Sequence, residues 1–189
     1  MKLTFLGGVG TVTGSKYLIQ TRGKSLLLDC GLFQGYKQLR LRNWRRLPVE
    51  PETLDAIILS HAHIDHSGYL PVMVKMGFSG PVYCTQSTRD LCEILLPDSG
   101  YLQEKEADQA NRYGYSKHKP ALPLYTEDDA KAALKLLEPA GFGEPIEIED
   151  RLGLKFDPAG HILGAAIVTL EGGDRRLVFS GDLGRAGSA

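Results

Sequence analysis

The sequence has few cysteines and no long apolar stretch. Only Cys30, Cys84 and Cys92 occur in 189 residues, and no two of them have C-x-x-C spacing. This argues against a disulfide framework and against a zinc site built on thiolates. The longest apolar runs, of about four residues, are far shorter than the roughly 18 that a membrane helix needs, and the first residues break too early for a signal peptide. We therefore expect a cytoplasmic protein with no membrane span.

Charge is balanced over the whole chain but not along it. The net charge is −1, yet residues 1–50 contain nine basic and two acidic side chains. With 42% hydrophobic and 24% charged residues, the composition is that of an ordinary globular protein rather than a disordered or fibrous one. The length fits a single domain spanning residues 1–189, and the charge asymmetry predicts one basic surface.

A basic segment, residues 37–46, surrounds Trp44 with five cations. Cations that follow phosphates and an indole that stacks on a base would make this a nucleic-acid-binding surface. A solvated amphipathic helix explains the same pattern, and both interpretations stay open.

Strand-like segments at both ends of the chain flank a mainly helical middle. Thr126-x-x-Asp129 predicts a capped helix start within the helical stretch, which covers residues 87 to about 137. Predicted strands cover residues 2–6, 16–21, 25–29, 55–60, 82–85, 154–157, 165–171 and 175–180, with further helices at 36–46 and 67–76. This order predicts a layered α/β domain with a mixed sheet, whose functional residues lie on loops at strand ends.

Three of the five histidines fall within six residues, in the pattern H-x-H-x-D-H over residues 61–66. Residues i and i+2 of an extended segment point the same way, so His61 and His63 can bind one ion together. Asp65 and His66 are adjacent and diverge, so they address a second position beside the first. Imidazole and carboxylate ligands without thiolates favour zinc in an open catalytic site, although manganese or iron also suits them.

Three further residues are candidates to complete these half-sites. His161 lies in a glycine-flanked turn between strands, where a side chain can point inward. Asp182 directly follows an apolar strand, where it could equally cap a helix. Asp29 also ends a strand, and its position favours orienting a histidine over binding a metal itself.

Together these segments resemble the metallo-β-lactamase fold superfamily. The particular residues in their motifs resemble its β-CASP branch of RNA-processing nucleases. Five motifs in this order carry the resemblance, and they span nearly the whole chain. They are G-x-G-x-x-x-G-S at 8–15, L-D-C-G with F-Q-G at 28–35, L-S-H-A-H-I-D-H-S-G-Y-L-P at 59–71, A-G-H-I-L-G-A at 159–165 and F-S-G-D-L-G-R at 179–185.

The resemblance implies the role of each candidate residue. His61, His63 and His161 would bind one zinc, and Asp65 and His66 the other. Asp182 would bridge both ions, and Asp29 would support the ligands. It implies hydrolysis of RNA phosphodiester bonds by a hydroxide that two metals activate, with Asp65 and Asp182 as the catalytic residues. Asp65 would help to orient that hydroxide or relay its proton.

The resemblance also implies that the chain covers only the N-terminal part of an αββα sandwich. Members of the branch continue into a β-CASP domain and then complete the sandwich, bringing a further histidine ligand for the second zinc. We therefore expect an exposed inner sheet face, for instance on residues 165–170, that self-association or a missing C-terminal segment would cover.

Two other functions remain open at this point. A small-molecule hydrolase of the same fold, such as a thioesterase, lactonase or β-lactamase, shares the histidine motif. A non-catalytic RNA-processing scaffold would share the fold, although the intact ligand set argues against it. An iron-based redox relative is disfavoured because such proteins have a glutamate where His63 stands.

Overall fold

The computed structural model describes residues 1–185, which form two stacked β-sheets with helices packed against the first. The first sheet has six strands in chain order. β1 to β3 form an antiparallel meander, and β3 to β6 run parallel. Their bounds are β1 (Lys2–Phe5), β2 (Tyr17–Thr21), β3 (Lys24–Leu28), β4 (Ala56–Ile58), β5 (Val82–Thr85) and β6 (Leu137–Ala140).

The helices pack on one face of this sheet and form the first of two apolar cores with it. Met73, Leu96 and Ala133, from three different helices, are buried there with Ile57 and Val82 of the sheet. The helices are α1 (Lys37–Arg40), α2 (Ile64–Ser67), α3 (Leu70–Lys75), α4 (Gln86–Tyr113) and α5 (Glu127–Leu134), with short 3-10 turns at Leu41–Trp44 and Pro51–Thr53. None of the helices in residues 1–185 is both long enough and apolar enough to cross a membrane.

The second sheet covers the other face of the first. Its four antiparallel strands have the order β10-β9-β8-β7. Leu154, Phe156 and Val168 alternate with outward-facing residues and pack against Leu28 and Ile58 in the second core. The bounds are β7 (Ile146–Glu149), β8 (Leu152–Pro158), β9 (Ala166–Gly172) and β10 (Arg175–Phe179). The predicted α/β class with mixed sheets is therefore confirmed.

The expectation of an exposed inner sheet face is wrong for the described residues. Val168 and Leu170 of β9 are each 1% exposed, because the first sheet covers them. The opposite side of the second sheet is mixed in character, and Val178 is exposed on β10. Self-association stays a prediction, but an exposed inner sheet face no longer supports it.

Some predicted helices differ from those in the structure. The segment predicted as one helix over residues 36–46 contains the four-residue α1 followed by a 3-10 turn. The mainly helical stretch predicted over residues 87–137 is interrupted in the structure. The helix α4 ends at Tyr113, and Gly114 caps it in the left-handed conformation. The strands β6 and β7 were not predicted.

Candidate metal centre

The candidate ligands meet at one edge of the sheet stack, where several strands end. His61 and His63 follow β4, and His66 lies in α2 directly after them. His161 lies between β8 and β9, and Asp182 follows β10. The two sheets are joined at this edge, since the amide of Ala166 donates to the carbonyl oxygen of Ser60 at 2.9 Å. Residues far apart in sequence therefore converge on one place.

Four side chains form a compact first ligand group: His61, His63, His161 and Asp182. Each offers one ligand atom, and these atoms all lie within 4.8 Å of one another. Nδ1 of His63 is 3.0 Å from Nε2 of His61 and 3.2 Å from Nε2 of His161. Oδ2 of Asp182 is 3.6 Å from Nε2 of His161. Three imidazoles and a carboxylate around one point match the chemistry of a divalent metal site.

A second ligand group, Asp65 and His66, lies on the other side of Asp182. Nε2 of His66 is 3.4 Å from Oδ1 of Asp182 and 4.0 Å from Oδ2 of Asp65. Asp182 therefore turns one oxygen toward each group. The structure brings together all six residues that the sequence singled out.

Asp29 is completely buried and supports both groups through hydrogen bonds. Its Oδ2 is 2.7 Å from Nδ1 of His66 and accepts from the hydroxyl of Ser15 at 2.8 Å. The hydroxyl of Ser60 lies 3.1 Å from Oδ2 of Asp29 and 3.0 Å from Nδ1 of His61. If both rings carry their proton on Nδ1, Nε2 is left free to bind a metal in each. Asp29 thus orients histidines, as expected from its position.

Burial keeps two ligands of the first group uncharged near neutral pH. It lowers the pKa of His61 to about 4, and the nearby His66 adds to this effect. Burial also lowers the pKa of His63, helped by His161. His66 differs: burial alone would lower its pKa, but the hydrogen bond and charge of Asp29 raise it. Neutral imidazoles are the form that binds metal, so the first group is prepared for an ion.

Close backbone packing holds the histidine motif against the loop after β3. The amide of Cys30 donates to the carbonyl oxygen of His66 at 2.7 Å, and that of Ser15 donates to the carbonyl oxygen of Asp65 at 2.9 Å. A Cβ atom on Gly31 would lie only 1.6 Å from the carbonyl oxygen of Asp65. Glycine at this position lets the two segments pack directly, which gives the glycine of the L-D-C-G motif a structural reason.

Sequence reasoning missed three residues around the site. Ser15 and Ser60 were noted only as positions within motifs, although their hydroxyls form hydrogen bonds with the carboxylate of Asp29. Lys16 was expected to begin a strand, yet it is buried just before β2, with its ammonium donating to the carbonyl oxygen of Gly31. No simple sequence signal marks a buried lysine. Ser60 could have been suspected, since it directly precedes His61, whereas Ser15 adjoins no candidate ligand.

Comparison with known proteins defines the class of this domain. Residues 9–86, which include Asp29 and the histidine motif, match the family model of the metallo-beta-lactamase superfamily. The chain therefore carries a metallo-beta-lactamase superfamily domain.

Its relatives include a ribonuclease and a transcription termination factor. The chain is 37% identical to ribonuclease TTHA0252 of Thermus thermophilus, over 97% of this chain and 38% of the relative. It is 34% identical to the transcription termination factor FttA of Methanocaldococcus jannaschii, over 97% of this chain and 27% of the relative. Integrator complex subunit 11 of Danio rerio is 32% identical over 96% of this chain and 29% of that protein. The chain thus spans well under half the length of these relatives.

Solved structures support the fold. A mutant metallo-beta-lactamase of Cronobacter sakazakii superposes with a TM-score of 0.54 at 18% identity, covering 97% of this chain and 60% of the other. MEM-A1, a subclass B3 metallo-beta-lactamase from a soil metagenome library, gives 0.53 at 18% identity, covering 93% and 58%. At this identity the likeness concerns the fold alone.

Proposed function

We propose that this chain provides the metal-binding part of a ribonuclease of the β-CASP branch, which hydrolyses phosphodiester bonds in RNA. One observation carries the proposal: Asp182 directs its two carboxylate oxygens at two separate ligand groups. A two-sided site of this kind suits hydrolysis of a phosphodiester, where both the attacking and the leaving oxygen need stabilisation. The ribonuclease named among the relatives supports RNA as the substrate.

Two divalent ions fit the donor set, and zinc suits it best. His61, His63 and His161 would hold one ion, Asp65 and His66 the other, and Asp182 would contact both. Manganese or iron would also be accepted by imidazole and carboxylate donors. When bound, such ions lower the pKa of a water molecule and neutralise charge on a phosphodiester.

The residues of the site would divide the remaining work among themselves. Asp65 is partly exposed beside His66, so its carboxylate can accept the proton of the attacking water and orient that water. Asp182, with a side chain 46% exposed, lies where a substrate phosphate can approach from solvent. Asp29 and Ser60 keep the imidazoles in one orientation, so that the ligands need not rearrange.

The basic segment provides a second argument for RNA. Trp44 is 59% exposed, and within residues 1–185 no hydrogen bond or ion pair involves the side chains of Lys37, Arg40 or Arg45. The segment is not one continuous amphipathic helix, which weakens the competing interpretation. Free cations around an exposed indole suit a single-stranded nucleic acid.

The test is hydrolysis of end-labelled RNA by the full-length protein, with its metal content measured in parallel. We expect His63→Ala to abolish hydrolysis with little change in thermal unfolding, because the variant loses a metal ligand at a partly exposed position. His118→Ala is the matched control, since His118 lies outside the candidate centre, and it should cleave RNA normally. Substantial turnover by His63→Ala would contradict the proposed role.

Hydrolysis of a thioester, lactone or β-lactam with no action on RNA would favour the small-molecule alternative. Metal binding without hydrolysis of any of these would favour a scaffold.

A further inference from the structure

Two buried hydroxyls contact the loop that carries His161. Thr85 ends β5 and caps α4, and Thr88 lies one turn further along that helix. Their Oγ1 atoms lie 2.7 Å and 3.1 Å from the carbonyl oxygen of Gly164. Both residues are buried, and they are separated from Gly164 by more than 70 positions in sequence. We call Thr85 and Thr88 the threonine pair.

Gly164 is shaped for this contact. Its φ is +78°, and a Cβ atom there would lie 2.6 Å from the backbone nitrogen of Thr88. Only glycine allows the loop backbone to approach the start of α4 so closely. The contact is therefore a specific junction between the His161 loop and the first sheet.

The loop is also held at its start, where the amide of Gly184 donates to the carbonyl oxygen of Ala159 at 2.9 Å, but its tip is exposed. Leu163 is 70% exposed, and the amide of Ala165 donates to the carbonyl oxygen of Ile162 to close a turn. His161 lies in this same turn, three residues before Gly164, with Nε2 3.2 Å from Nδ1 of His63. A displacement of Gly164 would therefore move the imidazole of His161 relative to the other ligands.

We propose that the threonine pair consists of positioning residues that fix His161 in the first ligand group. The proposal rests on the proposed metal-binding role of that group. The pair would determine how tightly the group holds an ion and with what geometry, without touching the ion or the substrate.

The two hydroxyls are not equivalent, and this makes the proposal testable. Oγ1 of Thr85 also accepts from the backbone amide of Thr88 at 3.3 Å, so Thr85 both caps α4 and binds the loop. Among residues 1–185, the side-chain hydroxyl of Thr88 forms hydrogen bonds only with Thr85 and Gly164. Thr88→Val thus removes a loop contact and keeps the cap, whereas Thr85→Val removes both. Thr85→Ser keeps both.

The experiment measures Zn²⁺ affinity by competition with a chromophoric chelator, and the visible absorption of the Co²⁺-loaded protein. We expect Thr88→Val to weaken the tighter Zn²⁺ site about tenfold, as loss of a group that orients a metal ligand commonly does. The Co²⁺ spectrum should change with it. Thr85→Ser should restore wild-type values that Thr85→Val loses. Thr126→Val, which removes the cap of α5 away from the loop, should lower the unfolding temperature and leave Zn²⁺ affinity unchanged.

Each outcome decides between distinct possibilities. If Thr88→Val and Thr85→Val bind Zn²⁺ like the wild type, with the same Co²⁺ spectrum, the positioning role is overturned while the metal site stands. If the wild type binds neither ion, the proposed function falls as well. Should Thr85→Val fail to fold, Thr88→Val still decides, because it keeps the helix cap.

Discussion

Lys16 is almost completely buried, although no carboxylate in residues 1–185 forms an ion pair with it. Its ammonium lies 4.9 Å from the centre of the Phe33 ring and 4.6 Å from that of Tyr69. Burial lowers the pKa of Lys16 to about 8, and the opposing effect of Cys30 is smaller. A charged group in this position costs stability, because aromatic faces and one carbonyl only partly replace water.

This arrangement predicts that Lys16 destabilises the fold less at alkaline pH. Below about pH 8 both the folded and the unfolded chain carry the proton on Lys16, and the cost of burying the charge is fully present. Between pH 8 and the ordinary pKa of 10.5, the folded chain loses the proton while the unfolded chain keeps it. The contribution of Lys16 to the free energy of unfolding should therefore rise over this range, by up to about 3 kcal/mol. The three buried cysteines act in the opposite direction, because burial raises the pKa of their thiols and only the unfolded chain loses these protons.

Urea unfolding of the metal-free protein at several pH values from 7 to 10 checks this prediction. The wild type should gain stability relative to Lys16→Met as the pH rises, whereas its difference from Lys2→Met, at an exposed position, should stay constant. Parallel curves for all three proteins would show that Lys16 does not carry the effect.

The histidine motif was predictable from sequence because its spacing constrains His61 and His63, whereas the roles of His161 and Asp182 followed only from the family resemblance. The i and i+2 positions of His61 and His63 place both side chains on one side, whatever the rest of the fold does. Ser60 and Lys16 are different, because their importance depends on what the folded chain packs around them. Ser60 reads as an ordinary residue at the end of a predicted strand until Asp29, 31 positions away, is brought to its backbone amide.

Helices and strands show the same division between local and non-local causes. The strand at residues 82–85 was predicted with the bounds of β5, since its apolar residues are bounded by turn signals. The strand β6 was not predicted, because proline is uncommon in strands. Pro139 is accommodated here because β6 lies at the edge of the first sheet. Whether a strand lies at an edge is decided by the whole topology, which the local pattern does not contain.

The start of α5 was predictable because a helix cap is a local interaction. Thr126 and Asp129 form the reciprocal capping box that the T-x-x-D spacing indicates, with distances of 3.1 Å and 2.9 Å. We expect Thr126→Ala to lower the free energy of unfolding by about 1 kcal/mol, because it leaves an amide of the first turn without its partner.

Chemical denaturation of this variant measures the effect directly. Thr126→Ser, which keeps the hydroxyl, is the control and should stay close to the wild type. Asp129 also pairs with Lys75 of α3 at 3.0 Å, so the comparison should change Thr126 and leave Asp129 in place. An unchanged midpoint for Thr126→Ala would mean that the packing of α5 alone fixes its start.

At the level of the whole molecule, the chain stacks its layers so that loops from both sheets supply ligands. The α/β class and the loop position of the site followed from the order of strand-like and helical segments. The burial of β9 against the first sheet did not follow from this order. Alternation of apolar and polar residues shows which side of a strand is apolar but not what covers it.

The ligand distribution across the two sheets predicts two metal positions of unequal strength. The first group offers three imidazoles and one oxygen of Asp182, which is enough for a four-coordinate ion. The second offers only Asp65 and His66 besides the other oxygen of Asp182 among the described residues. Calorimetric titration of this chain with Zn²⁺ should therefore resolve one tight and one weaker site. Asp65→Asn should weaken the second site and spare the first, whereas His61→Ala should remove the tight site. Two equally tight sites in the wild type would contradict the assignment of ligands to the two groups.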